Sequence, residues 1–395
     1  MRICIVTREY PPVTAYSGGI GTLFATLAPE LARQGHEPHV LTLSEGAPGT
    51  AEHEGVRAHQ LARPIPRRLW SLEDVPWSFV VERHLRRHER FDAVFAAEWG
   101  GDAWRYSAHE QSGPLITHLT TALAQILAIA PELRWSREWR IRNASLIRLE
   151  RRQSERSSAI VASSRAILDW SRELWNLDGI PSTVLPNMVD VDRVRELARG
   201  QLPEGFPRER PVVAFSGRLE VRKGVDVLTS AMAEIWREFP SAQLVMLGRD
   251  TAATEGMMGD RLRTIAADHA DRLHFLGPQP PERLFPALAA SDVVAFPSRW
   301  ENFSLGALEA LALGKPIVVT SGSGFDDFFV HERNGLMVPP RDAPALARAL
   351  VRVLADAGLR ERLGTSAASS SELYRPQPVT ERFVSFFAEV AGTAA

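Results

Sequence analysis

Two successive series of apolar strands alternating with amphipathic helices limit the folds open to this chain. The first series opens with an apolar strand at residues 2–7 and a glycine-containing loop. It continues with a helix whose apolar positions recur at helical spacing from Ile20 to Leu31, and with a second strand at 38–43. A strand, a helix and a strand in this order form a parallel βαβ unit. We therefore predict an α/β protein with two Rossmann-like, doubly wound domains.

A stretch rich in proline and glycine, residues 186–211, separates the two series. We expect an N-terminal domain at 1–190, a linker at 191–210 and a C-terminal domain at 211–375. The second series predicts strands at 212–216, 243–248, 273–276, 293–297 and 317–320. Doubly wound sheets bind ligands beyond the carboxyl ends of their strands, so the two domains are expected to face each other across a cleft.

The composition excludes several classes of protein. With 395 residues, 45% hydrophobic and 24% charged, the chain has enough apolar mass for two cores. The net charge of −2 does not attract a polyanion, so we expect no nucleic-acid partner. The single cysteine, Cys4, cannot form an intramolecular disulfide and fits a buried thiol in a cytoplasmic protein. No apolar run is long enough to cross a membrane.

Gly18, Gly19 and Gly21 lie between the first strand and the first helix. Without Cβ atoms, such a loop lets an anion approach the N–H groups at the start of a helix, and phosphate is the natural ligand. The spacing matches neither the dinucleotide fingerprint nor a Walker loop. A tight strand-to-helix turn is an equally good interpretation.

Arg218 and Lys223 follow the first strand of the second series. Arginine can bind phosphate oxygens through two parallel hydrogen bonds and lysine acts as a point charge, so the pair suits a phosphate at the strand end. A solvated loop with ordinary surface charge is the alternative. Because the chain contains only two lysines, Lys223 and Lys315, a functional role for Lys223 is favoured.

Glu301 is predicted to lie at the junction between a strand and a helix, and Glu309 lies eight residues further on, in the helix predicted at 303–313. With helical geometry between them they are about 12 Å apart, too wide for the carboxylate pair of a glycoside hydrolase. This spacing suits two hydroxyl-bearing parts of one long ligand, with a phosphate at the helix N-terminus between them. Taken singly, each is better explained as a first-turn acid or a solvated helix residue.

A possible metal-binding pair, Asp190-x-Asp192, lies beside the predicted linker. We do not expect it to bind a metal, because it lies near the predicted linker. Zinc spacings and a nucleophile elbow are also absent from the sequence.

Together these residues resemble the retaining glycosyltransferases of family 4, which have the GT-B fold. The similar features are Arg218, Lys223 and the Glu301-x7-Glu309 spacing inside Pro-Ser-x-x-Glu-x-Phe, followed by segments 311–319 and 334–339. The Gly18–Gly19 loop, Gly35-His36 and segment 186–190 also match, so the resemblance covers nearly the whole chain. The combination is specific, although no single motif is.

The resemblance implies a nucleotide-sugar domain at 211–375, an acceptor domain at 1–190 and a C-terminal helix, 376–395, that crosses back to the first domain. Glu309 would bind the ribose hydroxyls, Arg218 and Lys223 the diphosphate, and Glu301 the donor sugar. The other donor-binding positions that it implies are Gly18, Gly19 and the backbone of Asn302, Phe303, Ser304 and Leu305.

His118 resembles the family histidine that contacts the donor sugar near the reacting carbon, and it completes an implied catalytic set with Glu301, Arg218 and Lys223. The family often has an aspartate soon after this histidine, whereas this chain has Leu119-Thr120, and a core histidine is the competing interpretation. Asn302 and Ser304 also replace glycines of the family pattern, which could alter the sugar that fits.

Cleavage of the anomeric C–O bond leaves negative charge on the departing nucleotide, which fixed cations and helix amides can stabilise. We therefore expect no metal and no other cofactor. The resemblance implies retention of configuration by front-face attack, with the leaving phosphate accepting the proton of the acceptor.

The expected donor is a hexose linked to a nucleoside diphosphate, with UDP favoured and GDP, ADP and dTDP open. The expected acceptor is a hydroxyl or amine of a small molecule, one class being secondary metabolites. A lipid-linked or cell-envelope acceptor, a nucleotide-sugar epimerase and a non-catalytic nucleotide-sugar binder are the alternatives. Eight arginines at 134–156, near Trp135 and Trp139, would allow peripheral membrane contact, although a solvated helix is favoured.

Overall fold

The chain divides into two compact units in the computed structural model. The first contains Met1–Leu127, Trp135–Met188 and Pro376–Ala395, and the second contains Ala128–Arg134 and Val189–Arg375. The structure describes residues 1–14, 18–66, 73–87, 90–108, 113–130, 137–251 and 256–392, except for the side chains of 137–142. Each unit has a largely parallel sheet with helices, so the predicted α/β class with two Rossmann-like domains is confirmed.

The first unit contains an eight-stranded sheet. Its strands are β1 (Arg2–Val6), β2 (Glu37–Leu43), β3 (Gly49–His53), β4 (Val56–Leu61), β5 (Ala93–Ala97), β6 (Leu115–Leu119), β7 (Ala159–Ala162) and β8 (Ser182–Val184). They lie in the order β3-β4-β2-β1-β5-β6-β7-β8, and β3 runs antiparallel to β4. The direction of winding reverses between β1 and β5, which makes the ends of these strands the switch point of the sheet.

The second unit contains a six-stranded parallel sheet. Its strands are β9 (Val212–Ser216), β10 (Gln243–Leu247), β11 (Leu273–Gly277), β12 (Val293–Phe296), β13 (Ile317–Thr320) and β14 (Leu336–Val338). They lie in the order β11-β10-β9-β12-β13-β14. The winding reverses between β9 and β12, which pair directly, with Val213 opposite Val293. The loops after these two strands therefore share the switch point.

Helices connect the strands of both units. In chain order they are α1 (Gly19–Arg33), α2 (Asp74–Arg87), α3 (Leu123–Ile129), α4 (Arg137–Glu155), α5 (Arg165–Leu174), α6 (Val191–Leu197), α7 (Val225–Glu238), α8 (Met258–Ala266), α9 (Pro281–Ala290), α10 (Leu305–Ala312), α11 (Ala343–Ala355), α12 (Ala357–Ser371) and α13 (Pro376–Ala391). No helix within the described ranges is both long and apolar enough to span a bilayer.

Apolar layers cover both faces of each sheet. Strand β9 illustrates this, because Val213 and Phe215 face one buried cluster while Val212 and Ala214 face another. A parallel strand covered by helices on both faces needs such a continuous apolar run. In the first unit, α13 packs Phe383 and Phe387 against Phe95 of β5, with ring centroids 5.8 and 5.1 Å apart.

Residues 191–210, predicted as a linker, begin with helix α6. Val191 and Val194 of this helix are buried in a core cluster of the second unit. Asp190 caps the helix, since its Oδ1 accepts the Arg193 N–H at 3.0 Å. The proline- and glycine-rich composition thus obscured a short helix whose apolar residues are only three positions apart.

Candidate functional site

Two loops of the second unit place the predicted charged residues next to each other. One follows β9 and carries Arg218 and Lys223, and the other follows β12 and carries Glu301. The loops approach closely at Gly224, where φ is +65° and an added Cβ would lie 2.0 Å from the carbonyl oxygen of Pro297. Only glycine tolerates both this conformation and this contact. The switch point therefore brings together residues that are 78 positions apart in the chain.

Glu301 is held at both carboxylate oxygens. Its Oε2 accepts a hydrogen bond from the Lys223 ammonium and one from the Ser298 hydroxyl at 3.3 Å. Its Oε1 lies 3.5 Å from Nη1 of Arg222. The carbonyl oxygen of Ser298 in turn accepts the Thr320 hydroxyl at 2.6 Å, which ties the loop after β12 to the end of β13. The carboxylate is thus fixed in orientation as well as in charge.

The two cations keep Glu301 ionised. Burial alone would raise the pKa of this carboxyl, but Lys223, Arg222 and the Ser298 hydroxyl outweigh it and lower the pKa to about 2. The Glu301 side chain is 8% exposed and those of Arg222 and Lys223 are 12% and 18% exposed. Counting also Glu220, which pairs with Arg222, and Arg218, three cations and two carboxylates leave one excess positive charge, which suits an anionic ligand.

Arg218 is the accessible cation of the cluster. Its side chain is 54% exposed, and its Nη2 lies 3.5 Å from Oε1 of Glu220. That oxygen also accepts Nη2 of Arg222 at 2.7 Å. Because Glu220 has a closer partner in Arg222, the Arg218 guanidinium keeps donors that can bind a phosphate bidentately.

Helix α10 begins at Leu305, two residues later than predicted, because the Ser304 side chain caps it. The Ser304 hydroxyl accepts the Ala307 N–H at 3.3 Å. The N–H groups of Leu305 and Gly306 in the first turn have no acceptor inside the helix. Residues 301–304 therefore lie outside the helix, and the helical rise assumed between Glu301 and Glu309 applies only from Leu305 onward.

The predicted donor-binding segment 302–305 divides into side chains and backbone. The Phe303 ring is buried and stacks on Phe328 at 4.3 Å between centroids. The Ser304 hydroxyl is engaged by the cap. Asn302 is half-buried and Leu305 starts the helix. In this segment the backbone N–H groups, rather than the side chains of Phe303 and Ser304, are the groups suited to a ligand.

Glu309 lies on α10 and differs from Glu301 in its surroundings. Burial raises the pKa of its carboxyl to about 7, and no cation opposes this effect. Within the described ranges its carboxylate meets neither a hydrogen-bond donor nor a salt-bridge partner. An unpaired, half-buried carboxyl of this kind is suited to a ligand that supplies hydroxyl donors.

In the first unit, Gly18 precedes α1 and Gly19 starts it, so Gly19 and Gly21 lie in the first turn of the helix and not, as had been predicted, in the loop before it. The N–H groups of Gly18 and Gly21 both donate to Oε2 of Glu9, at 2.7 and 3.3 Å. The predicted anion at this helix start is therefore matched by a carboxylate of the chain itself. Glu9 was not predicted to take part; it lies three residues after β1 and is nine residues from Gly18 in the sequence.

His118 lies in β6, one residue before its end. Its ring is 3% exposed and packs near Phe95 and Phe24, with centroids 5.7 and 6.3 Å away. Its Nε2 is 2.9 Å from the Ser163 hydroxyl, and that hydroxyl donates to Oδ1 of Asn187 at 3.3 Å. The Ser163 oxygen therefore accepts the Nε2 proton, which leaves Nδ1 as an acceptor. Burial lowers the pKa of His118 to about 4, so the ring is neutral at pH 7.

The predicted site residues are divided between the two compact units. Arg218, Lys223 and Glu301 form the cluster of the second unit, and Glu309 lies on the helix that follows it. Gly18, Gly19 and His118 lie in the first unit.

The carboxylates of the Asp190-x-Asp192 motif have structural roles, because Asp190 caps α6 and Asp192 pairs with Arg375 at 2.7 and 3.0 Å. No group of three or more possible metal ligands occurs among the described residues.

Part of the predicted basic segment at 134–156 lies outside the described residues. Arg134 and Trp135 and the side chains of 137–142, including that of Trp139, belong to that part. The described part of α4 faces the core of the first unit through Glu150 and Gln153, both fully buried.

Two features near the site were not predicted, Arg222 and the ion pair between Asp226 and Arg299. Asp226, in the first turn of α7, accepts Nη2 of Arg299 at 2.8 Å and lies 3.3 Å from Nη2 of Arg261. The Arg299 N–H donates to the carbonyl oxygen of Arg222 at 2.8 Å. The position of Arg222 next to Lys223 was the only signal for it in the sequence. That signal does not show that the Arg222 side chain is buried, which depends on the turn at Val221–Lys223.

Comparisons with known proteins agree with this geometry. The model of glycosyl transferases group 1 matches residues 201–370, and that of glycosyltransferase family 4 matches residues 17–193. A D-inositol 3-phosphate glycosyltransferase from Xylanimonas cellulosilytica is 30% identical over 390 residues, which cover 92% of this chain and 89% of that protein.

Solved structures share the fold. Sucrose-phosphate synthase from Thermosynechococcus elongatus superimposes with a TM-score of 0.80 and 21% identity over 99% of both chains. Anabaena HepE in complex with UDP-glucose has a TM-score of 0.73 and 18% identity, over 98% of this chain and all of that one. The two matched family models, the relative and the shared GT-B fold show that this chain belongs to the group 1 glycosyltransferases of family 4, enzymes that use nucleotide sugars.

Proposed function

We propose that this glycosyltransferase moves a hexose from a UDP-sugar to a hydroxyl of a small polyol acceptor, with retention of configuration and without a metal. The observation that carries the proposal is the cluster in which Lys223 and Arg222 fix the Glu301 carboxylate, while Arg222 shares Glu220 with the accessible Arg218. A fixed set of cations with one excess positive charge suits a diphosphate better than a neutral ligand.

The donor would lie along the switch point of the second sheet. Its diphosphate would be bound by Arg218, Lys223 and the first amides of α10, its sugar by Glu301 and its ribose hydroxyls by Glu309. The Gly18 N–H of the first unit, a predicted donor-binding group, already donates to Glu9, so we do not propose it for the donor. The preference for UDP is supported by the UDP-glucose complex of Anabaena HepE.

The same cations would stabilise the departure of the nucleotide. Negative charge grows on the diphosphate as the anomeric C–O bond breaks, and Lys223 and Arg218 are already placed to receive it. In other transferases a divalent ion stabilises this negative charge. Because Lys223 and Arg218 would supply fixed positive charge instead, we propose a metal-independent reaction.

Glu301 has a second part in this scheme. As a fixed carboxylate it would accept hydrogen bonds from sugar hydroxyls and orient the anomeric carbon. His118, neutral at pH 7, would contribute an acceptor at Nδ1 near the sugar rather than a positive charge. We propose that configuration is retained by front-face attack, as the family resemblance implies, with the leaving phosphate taking the acceptor proton.

The acceptor is proposed to be a sugar or cyclitol, free or phosphorylated. Support comes from the names of the relatives, which are a D-inositol 3-phosphate glycosyltransferase and a sucrose-phosphate synthase. A hydroxyl of a secondary metabolite or of a lipid-linked acceptor is the second choice. Because the chain has one cysteine and it is buried, we place the reaction in the reducing cytoplasm.

A donor panel tests the proposal. UDP-, GDP-, ADP- and dTDP-glucose are each added to the protein in the presence of EDTA, and melting temperature and nucleotide release are measured with and without fructose 6-phosphate or myo-inositol phosphate. We expect UDP-glucose to raise the melting temperature most and to release UDP faster when an acceptor is present. Binding without release would indicate a nucleotide-sugar binder, and conversion of the donor alone to another sugar would indicate an epimerase. If no nucleotide sugar binds, the proposal is wrong.

A further inference from the structure

An exposed tryptophan, Trp99, stands at the switch point of the first sheet. It comes two residues after β5, one of the two strands between which the winding reverses. Its surface is 38% exposed, whereas Trp77, Trp175 and Trp236 are at most 5% exposed. Ligands of doubly wound sheets bind at such switch points. The position therefore distinguishes Trp99 from an apolar side chain exposed elsewhere, which would need no explanation.

The turn that carries Trp99 is held against helix α4 by hydrogen bonds. The Gln153 amide donates to the carbonyl oxygen of Ala97 at 2.9 Å and accepts the Ala103 N–H at 2.8 Å. Between these two contacts, Oε1 of Glu150 accepts the Gly100 N–H at 3.4 Å. Both α4 side chains are fully buried. The backbone on both sides of the tryptophan is thus fixed by side chains that have no contact with solvent.

Two glycines complete this turn. Gly100 and Gly101 have φ values of +84° and +60°, in the region that side chains disfavour. An added Cβ at Gly101 would lie 2.7 Å from Cβ of Leu149 on α4. The turn needs this close approach to the helix. The backbone that carries Trp99 is therefore fixed on both sides of the residue, at a place where the indole is 38% exposed.

The turn is also coupled to His118. Ala97 pairs with His118 across β5 and β6. The Glu98 N–H donates to the carbonyl oxygen of His118 at 3.0 Å, and Oε1 of Glu98 accepts the Thr120 N–H at 3.1 Å. Glu98, the residue before Trp99, therefore holds the end of β6, which contains His118. The proposed mechanism places His118 near the transferred sugar.

The chemistry of an exposed indole limits its ligand. The ring offers an apolar face of large area together with an N–H donor at its edge. A six-membered polyol ring has a complementary form, with C–H groups across one face and hydroxyls around the rim. An open-chain polyol has no such face. Aromatic side chains with a few polar groups are also typical of small-molecule sites.

We propose that Trp99 recognises the acceptor by stacking its indole on the C–H face of a pyranose or cyclitol ring. The inference rests on the proposed function, since it assumes transfer to a polyol. It adds two points to the proposed function. Trp99 is the residue that selects the acceptor, and the acceptor that it selects is a ring polyol.

Binding is tested first, by isolating the emission of Trp99. Fluorescence of the wild type minus that of Trp99→Phe is followed during titration with myo-inositol, glucose and maltose, with sorbitol as the open-chain control. We expect a saturable change with at least one ring polyol and a smaller change with sorbitol. An emission that no ring polyol changes, or that sorbitol changes equally, overturns the proposal.

Kinetics then separate Trp99 from the donor site. Trp99→Ala is expected to raise KM for the ring acceptor about tenfold and Trp99→Phe to raise it about threefold or less, as loss of an aromatic contact predicts. Hydrolysis of UDP-glucose without acceptor should stay unchanged. The matched control is Phe79→Ala, which removes a 47% exposed ring from α2 of the same unit.

The two proposals fail in different ways. An unchanged acceptor KM in Trp99→Ala, with donor hydrolysis intact, contradicts the role of Trp99 and leaves the transferase assignment standing. Equal loss of donor hydrolysis and acceptor use in Trp99→Ala would show a structural residue and would also overturn the inference. Failure of the wild type to bind any nucleotide sugar contradicts the proposed function itself.

Discussion

The ammonium of Lys223 donates a hydrogen bond to Oε2 of Glu301, although the two residues lie on loops after different strands. Arg222 contacts the other oxygen of the same carboxylate at 3.5 Å. This arrangement connects a residue proposed to bind the diphosphate with one proposed to bind the sugar. A disturbance on one loop is therefore expected to alter the function of the other.

Replacement of Arg222 tests this connection. Arg222→Met leaves Glu301 with Lys223 and Ser298, so the carboxylate loses one support and the pKa of Glu301 should rise above its present value of about 2. We expect kcat to fall about tenfold to a hundredfold, because small displacements of a positioning group have effects of this size. The acid limb of the pH–rate profile should move to higher pH. Arg222→Lys is the control and should recover part of the rate. A profile identical to that of the wild type would contradict the role of Arg222.

Glu309 predicts a pH dependence of donor binding. Burial raises the pKa of its carboxyl to about 7, so the carboxylate that would accept ribose hydroxyls is lost as the pH falls below 7. The dissociation constant for UDP-glucose should therefore increase about tenfold between pH 8 and pH 6, and calorimetry at both values measures it. In Glu309→Gln this change should disappear.

The same group predicts the opposite trend for stability. Because the folded-state pKa of Glu309 is above the ordinary value of 4.5, its contribution to stability is present below pH 4.5 and is lost as the pH rises through 7. Glu309→Gln should then raise the melting temperature at pH 8 by a few degrees relative to the wild type, and change it less at pH 5. A destabilised variant at pH 8 would indicate a partner for Glu309 and contradict this account.

Gly224 tests the close approach of the two loops. In Gly224→Ala a methyl group must occupy space 2.0 Å from the Pro297 carbonyl oxygen at a φ of +65°. We expect a loss of about 2 kcal/mol or more in the free energy of unfolding, together with weaker donor binding. Gly179→Ala is the matched control, since Gly179 has a φ of +75° and no neighbouring atom within 4 Å. It should cost about 1 kcal/mol. Chemical denaturation compares them, and equal losses would show that the contact with Pro297 is unimportant.

His118 is expected to stay neutral with its proton on Nε2. Nitrogen-15 spectra of the histidine side chains, assigned with His118→Gln, should show one ring that keeps the Nε2–H form from pH 5.5 to pH 8.5. The physical reasons are burial and the hydrogen bond to Ser163. A titration of this ring near pH 6.5 would contradict the burial of His118 and would allow it to act as a cation.

Most of the fold could be predicted because strand and helix periodicities alternate clearly in both units. The predicted strands at 212–216, 293–297 and 317–320 agree with the structure to within one residue. Strands β3 and β4 were missed, since the exposed residues of β3 give no apolar alternation. The linker assignment missed α6 because composition outweighed a pattern of only two buried valines.

The site was less predictable than the fold, since its contacts depend on side-chain directions in turns. The residue types of Arg218, Lys223 and Glu301 indicate anion chemistry, and the strand order explains how they meet. The capture of the Gly18 and Gly21 amides by Glu9 could not be read from spacing. It depends on the path of the loop after β1. The burial of His118 likewise depends on the rings of Phe24 and Phe95, which come from other elements.

The most direct measurement is the turnover of UDP-glucose by Lys223→Ala, compared with its melting temperature. Arg222 and Ser298 still hold Glu301 in this variant, so the melting temperature should fall by only a few degrees. The rate of UDP release should fall about a hundredfold or more, because a fixed cation facing the leaving group is lost. If turnover is unchanged, or falls only in proportion to the folded fraction, Lys223 does not stabilise the departing diphosphate and the account is contradicted.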